Sequence, residues 1–353
     1  MLLIIRLHYN ILNSLTIFAP TNQLCMRKFM KWTGYIILVI AILIIGIVGY
    51  IKFSKPDVGK APDLKVEITP QRVERGKYLA NSVTLCMDCH STRDWTLYSA
   101  PPVAGTEGVG GEKFDQTMGF PGVFYSRNIT PYRLKNWTDG ELYRTITTGV
   151  DKNGEPLMPV MPYHNYGKMD TEDIYSIIAY VRSLPEVKKD VPSSAPDFPF
   201  SVIMRLIPKK AEPQKLPAES DTLAYGRYLV NAAGCAECHT KFEKGDFVKG
   251  TEYGGGRQFQ MPGGVLTTPN ISPDMETGIG SWTKDMFVSR FKAYTDSSFV
   301  PPHVDPAKDF MTIMPWMMYG KMKESDLSAI YAYLRTVDKR SNKVVKWQPG
   351  VKI

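Results

Sequence analysis

Cys86-Met87-Asp88-Cys89-His90 and Cys235-Ala236-Glu237-Cys238-His239 share the form CxxCH and hold four of the five cysteines in the chain. The spacing has a chemical reading. Two thiols set two residues apart can add across the two vinyl groups of a haem, and the adjoining histidine then reaches iron from the same side. Two copies predict two covalently bound haem c groups. Cys86, Cys89, Cys235 and Cys238 would be the attachment points, and His90 and His239 the proximal iron ligands. A thioredoxin-like redox pair belongs beside a βαβ pattern, and none follows here. A tetrahedral zinc site could draw on both CxxC pairs. It would leave unexplained the histidine after each pair and the Met-Pro further on.

Each motif sits at the same place in a longer repeat. Glu74-Arg75-Gly76-Lys77-Tyr78-Leu79-Ala80 leads into the first, and Ala224-Tyr225-Gly226-Arg227-Tyr228-Leu229-Val230 into the second. Both read as a helix with Tyr and Leu on its apolar side. Asn128-Ile129-Thr130-Pro131 then matches Asn270-Ile271-Ser272-Pro273, and Trp137-Thr138-Asp139 matches Trp282-Thr283-Lys284. Thr138 and Thr283 can cap the helices that follow, with Glu141 and Asp285 near the first turn. Met161-Pro162 and Met314-Pro315 open matched loops, each followed by an amphipathic helix, from Thr171 and from Glu324. The order is helix, haem motif, long loop, short helix, Met-Pro loop and closing helix, given twice. This predicts an all-α fold of tandem haem domains over residues 68–186 and 218–338. The haem itself would fill much of the centre of each small module.

The repeat also selects distal ligands. A methionine thioether opposite the histidine raises the reduction potential. The candidates are Met158 and Met161 in the first copy and Met311 and Met314 in the second. Met161 and Met314 both precede proline, which stiffens the loop that delivers the sulfur; Met158 also precedes a proline, Pro159, but its counterpart Met311 precedes Thr312. Met161 and Met314 are taken as the iron ligands, with Met169 and Met322 in packing roles. His164 could replace Met161, but its repeat partner is Met317. His303 lies in the loop before Met314. Both read as surface or supporting residues. Trp137, Trp282, Asn128 and Asn270 could line haem edges or bind propionates, or serve ordinary turn and core roles. Arg127 has Pro269 opposite it, so any such contact would belong to the first copy alone.

Residues 33–51, TGYIILVIAILIIGIVGYI, carry no charge. As helix they span roughly 28 Å, about the hydrocarbon thickness of a bilayer. No A-x-A cleavage site follows, so residues 32–52 read as an uncleaved transmembrane anchor rather than a signal peptide. Residues 1–31 are of uncertain status; Met26 or Met30 makes a more conventional start, and Cys25 lies outside both motifs without a role. Arg27, Lys28 and Lys31 precede the span, and Lys52 and Lys55 follow it, so charge fixes orientation weakly. Haem c is attached outside the cytoplasm in bacteria, which places the haem domains on the periplasmic side of the inner membrane. Residues 187–217 hold six prolines and read as a linker. Phe198, Phe200, Val202, Ile203, Met204, Leu206 and Ile207 are too apolar for a free tether, so it should pack across the modules or touch the membrane surface.

The 353 residues suit two domains, and the net charge of +8 could steer an acidic partner. No motif supports nucleic-acid binding. Asn128-Ile129-Thr130-Pro131 through Met161-Pro162 to Ala179-Tyr180-Val181-Arg182-Ser183-Leu184-Pro185, repeated from Asn270 to Ala332-Tyr333-Leu334-Arg335-Thr336, resembles the cytochrome c family. That family includes dihaem electron-transfer proteins and the haem subunits of membrane-bound alcohol, aldehyde and gluconate dehydrogenases. The resemblance covers roughly residues 68–338. It implies haem on Cys86, Cys89, Cys235 and Cys238, and His90/Met161 and His239/Met314 as iron ligand pairs. The best-known dehydrogenase subunits carry three modules and this chain two, and its Gly254-Gly255-Gly256 lead-in differs from that of the first copy. The expected role is single-electron transfer from a dehydrogenase or respiratory donor to a downstream acceptor. Partners would be a membrane-bound dehydrogenase, a quinol-oxidising complex or a terminal oxidase. The alternative is a dihaem redox enzyme such as a peroxidase or thiosulfate dehydrogenase, which needs an openable iron or an unusual ligand.

Overall fold

The structure, a computed structural model, describes residues 20–353. Residues 1–19 lie outside the described residues, as does the side chain of Cys25. The chain divides into two compact units, at Ser54 and Lys55. The described part of the first is a single helix, Pro20–Phe53. Its segment Met26–Phe53 is long and apolar enough to cross a membrane, and its most apolar 18 residues have a mean hydropathy of 2.8 with none of them buried.

The second unit repeats one helical frame. In the first copy the helix Pro70–Tyr78 packs on the closing helix Thr171–Ser183; in the second, Thr222–Ala232 packs on Glu324–Leu334. Glycine sets both crossings. A Cβ on Gly76 would lie 1.8 Å from the Ser176 carbonyl oxygen, and one on Gly226 would lie 2.0 Å from that of Ala329. The short helices between them are capped as the sequence predicts. Thr138 accepts from the Glu141 amide in a full capping box, and Thr283 accepts from the Met286 amide. The copies differ by one residue between Tyr78 and Cys86 against Tyr228 and Cys235. The first absorbs it in a π-turn over Leu79–Val83, closed by the Thr84 amide on the Leu79 carbonyl at 2.8 Å.

The expectation of an all-α fold is corrected, among the described residues, by three small antiparallel sheets. Lys113–Phe114, Gly122–Tyr125 and Ala195–Pro196 form one; Gln258–Met261, Gly264–Thr267 and Trp347–Pro349 form its counterpart. A hairpin joins Phe242–Glu243 to Asp246–Phe247. The strands are two to four residues long, too short to show alternation in sequence. The repeat continues past each closing helix, because the third strand of each large sheet comes from the chain beyond it. The proline-rich stretch thus supplies a strand to the first copy, as the C-terminal tail does to the second.

The two copies share one hydrophobic core, in which Leu79, Ile174 and Ile177 belong to the same cluster as Leu229, Met318 and Leu327. Polar contacts cross between them in a reciprocal pattern. Tyr78 of the first copy donates to Asp326 of the second, and Tyr228 of the second donates to Asp173 of the first. The hydroxyl of Tyr78 accepts from the Lys323 amide and that of Tyr228 from the Asp170 amide, both at 3.1 Å. Each carboxylate is also held within its own copy, Asp173 by Arg75 at 2.8 Å and Asp326 by Tyr225 at 3.2 Å. Only Asp173 has a guanidinium against it. Hydrogen bonds to buried charged groups are worth roughly 1.5–3 kcal/mol, so Tyr78→Phe and Tyr228→Phe should each destabilise the unit by about that much. Tyr78→Phe should cost more, because Asp326 then keeps only neutral hydroxyl partners. Urea melts of the two variants give the order; a larger loss in Tyr228→Phe would contradict it.

Candidate functional site

Each CxxCH motif is a single helical turn, Cys86–Cys89 and Cys235–His239, entered through a left-handed residue. That residue is Leu85 at φ 56° in the first copy and Gly234 at φ 64° in the second. The turn puts both thiols at the edge of the core, half-buried and not joined in a disulfide. Burial pushes all four thiols up, those of Cys89 and Cys235 to about 12. Such groups are poor thiolate nucleophiles. Among the described residues no three His, Cys, Asp or Glu side chains gather as a metal site, so the two CxxC pairs do not assemble the tetrahedral zinc set.

The histidines are held identically. His90 Nδ1 lies 2.7 Å from the Arg127 carbonyl oxygen and His239 Nδ1 lies 2.8 Å from that of Pro269. A carbonyl only accepts, so Nδ1 carries the proton and Nε2 is left with its lone pair. Burial lowers the pKa of both rings, which favours this neutral form. A fixed tautomer with Nε2 unclaimed suits a metal ligand. The carbonyls come from a loop that crosses the motif closely. Gly110 and Gly255 donate to the His90 and His239 carbonyls at 2.9 and 2.8 Å. Both have positive φ, and a Cβ on either would lie 2.5 Å from the opposing loop backbone. The glycine-rich lead-ins, which look different in sequence, are therefore spatial counterparts.

Met161 and Met314 are half-buried and pack against the core. Their carbonyls accept from the amides of Tyr163 and Trp316, both at 2.8 Å. Pro162 and Pro315 share nearly one conformation, φ −79° ψ 53° and φ −81° ψ 66°. Met311 is fully buried in a separate small cluster, while Met158 is half-buried. Met169 and Met322 are core residues, as expected. His164 packs on Tyr163 with ring centroids 4.5 Å apart, and burial together with Lys209 and Lys168 lowers its pKa. His303 is exposed and its backbone bridges Leu97.

The asparagines are committed elsewhere. Asn128 donates to the Val187 and Lys189 carbonyls, and Asn270 to Thr277 and the Arg340 carbonyl. They tie down the chain leaving each closing helix, so the turn role accounts for their amides. Trp137 and Trp282 pack against the core, their carbonyls accepting from Arg182 and Tyr331. Arg127 donates to the Pro192 carbonyl. Two residues missed in the sequence are Tyr166 and Tyr319. Their buried hydroxyls donate to the Thr84 and Ala233 carbonyls, each at 2.5 Å and each two residues before the first motif cysteine. Their matched place between Met-Pro and Gly-Lys-Met was the available signal.

A half-buried thiol pair beside an imidazole whose Nε2 is unclaimed is what covalent haem attachment requires. Residues 223–338 match the cytochrome c family model, a family whose members carry covalent haem c. The chain is similar to the cytochrome c subunit of the quinone-dependent alcohol dehydrogenase of Gluconobacter oxydans, 27% identical over 63% of this chain and 46% of that one. It is similar to the fructose dehydrogenase cytochrome subunit of Gluconobacter japonicus, 29% identical over 75% and 52%. It is also similar to the gluconate 2-dehydrogenase cytochrome c subunit of Pantoea cypripedii, 28% identical over 75% and 59%. The chain spans about half the length of these curated relatives.

Proposed function

We propose that this chain is a membrane-anchored dihaem cytochrome c. It passes single electrons from a dehydrogenase or respiratory donor to a downstream acceptor, from the periplasmic side of the inner membrane. The observation that carries this is the duplication of the whole donor set in equivalent backbone settings. Cys86 and Cys89 would hold one haem, with His90 and Met161 on its iron. Cys235 and Cys238 would hold the other, with His239 and Met314. When bound, the group supplies a one-electron couple at iron.

The chain's own residues keep that couple simple. The Arg127 and Pro269 carbonyls fix the two imidazoles, and the Met-Pro turns hold the backbone that would deliver the two sulfurs. Fixed ligands need little rearrangement when charge changes. Met161 and Met314 occupy matched positions, so neither copy offers an evidently open iron of the kind a peroxidase or thiosulfate dehydrogenase requires.

Optical and EPR spectra of the purified oxidised protein test the reading. Two low-spin His/Met haems per chain are expected, counted by haem-to-protein ratio. Cys86→Ala with Cys89→Ala should leave one haem per chain, as should Cys235→Ala with Cys238→Ala. A substantial high-spin signal in the parent protein would overturn the carrier assignment for one site and call for peroxide and thiosulfate turnover assays.

A further inference from the structure

The helix Phe200–Ile203 and the 3-10 turn Met204–Leu206 behind it are apolar on both sides. The inner side is accounted for. Val202 and Met204 are buried, and Phe200 meets Phe124 edge-on at 6.3 Å. The outer side shows Phe198 at 74% exposure, Ile203 at 48% and Leu206 at 63%. A surface helix normally turns polar residues outward, and a cluster of large apolar side chains marks a contact site.

Its place on the second unit indicates what covers it. Lys55 Nζ donates to the Asn153 carbonyl at 2.6 Å, Glu155 pairs with Arg205 at 2.6 Å, and Asp57 lies 3.7 Å from Lys210. Residues 55–57, 153–155 and 205–210 therefore share one face. Phe53 ends the apolar helix, and two residues of chain reach about 7 Å at most. If that helix spans the bilayer, the chain passes from it to Lys55, a residue of this face, in two residues. Lys209 and Lys210 are exposed beside the apolar cluster, and apolar side chains flanked by lysines suit an interface with anionic headgroups.

We infer that Phe198, Ile203 and Leu206 insert into the headgroup layer of the bilayer that the N-terminal helix crosses, with Lys209 and Lys210 over anionic lipid phosphates. The inference rests on the anchor reading, and its test separates the two. The full haem-loaded chain is reconstituted in phosphatidylcholine–phosphatidylglycerol vesicles containing a lipid with a diazirine high on its acyl chain. After illumination, cross-linked peptides are mapped by mass spectrometry. Labelling is expected in residues 33–51 and, several-fold above the peptide bearing exposed Val300, in residues 198–206. Labelling of 33–51 without 198–206 overturns the contact and leaves the anchor standing, and points to a protein partner for the patch. Labelling of neither overturns both. A variant combining Phe198→Ser, Ile203→Ser and Leu206→Ser should lose the second signal while keeping the first, the haem spectrum and the melting profile. Undiminished labelling at 198–206 in that variant would overturn the role of the three side chains.

Discussion

Gly226→Ala should cost the second unit about 3 kcal/mol or more, and Gly76→Ala a similar amount. For a unit of this size that is a fall in melting temperature of roughly 6 °C or more. The sign is the informative part. Both glycines lie within helices, where alanine alone would gain about 1 kcal/mol from helix propensity. The added methyl carbon would instead stand 2.0 Å from the Ala329 carbonyl oxygen or 1.8 Å from that of Ser176. A backbone oxygen of the closing helix cannot swing aside as a side chain can. The helices would have to separate, loosening the packing that leads into each haem motif. Thermal melts of the two variants decide it, and a variant as stable as its parent would mean that the crossing is not this close.

Met161→Ala and Met314→Ala should each alter one redox site and spare the other. On the proposed ligation, loss of the thioether removes the ligand that raises potential, so the affected couple should fall by on the order of 0.1 V or more. Its iron should turn high-spin or take up an added ligand such as imidazole. Met311→Ala is the contrasting case. Met311 is completely buried, so its truncation should cost about 2–5 kcal/mol of stability and leave both potentials in place. Met158→Ala should do neither to a comparable degree. Spectroelectrochemical titration together with melting separates ligand from packing. Unchanged potentials in Met161→Ala would move the ligand role elsewhere, with His164 the next to replace.

Much of this was readable because it is periodic or local. The closing helices from Thr171 and Glu324 follow from the apolar stripe, and Thr138 and Thr283 cap as their types require. The pairing of Met161 with Met314 rests on counting from a shared glycine, and the matching Pro162 and Pro315 dihedrals are what that pairing anticipates. What escaped notice depends on distance along the chain. Ala195–Pro196 and Trp347–Pro349 are strands only because partners more than seventy residues earlier await them, and two or three residues carry no period of their own. Gly110 and Gly255 look unrelated until their carbonyl neighbours are superposed. The extra residue before Cys86 left no mark in the pattern, since a π-turn hides it within a continuous helix. The tyrosines were seen as apolar stripe members, whereas their hydroxyls serve the other copy.

That last exchange bears on how such a molecule can be divided. Tyr78 and Tyr228 each complete a buried carboxylate that belongs to the opposite half, so neither half holds its own full complement of polar partners. Cutting the backbone between residues 187 and 217 would give two polypeptides but not two bodies, and the fragments should remain associated. Duplication of the sequence has here produced interdependence: a change at either tyrosine is felt first in the copy that does not contain it.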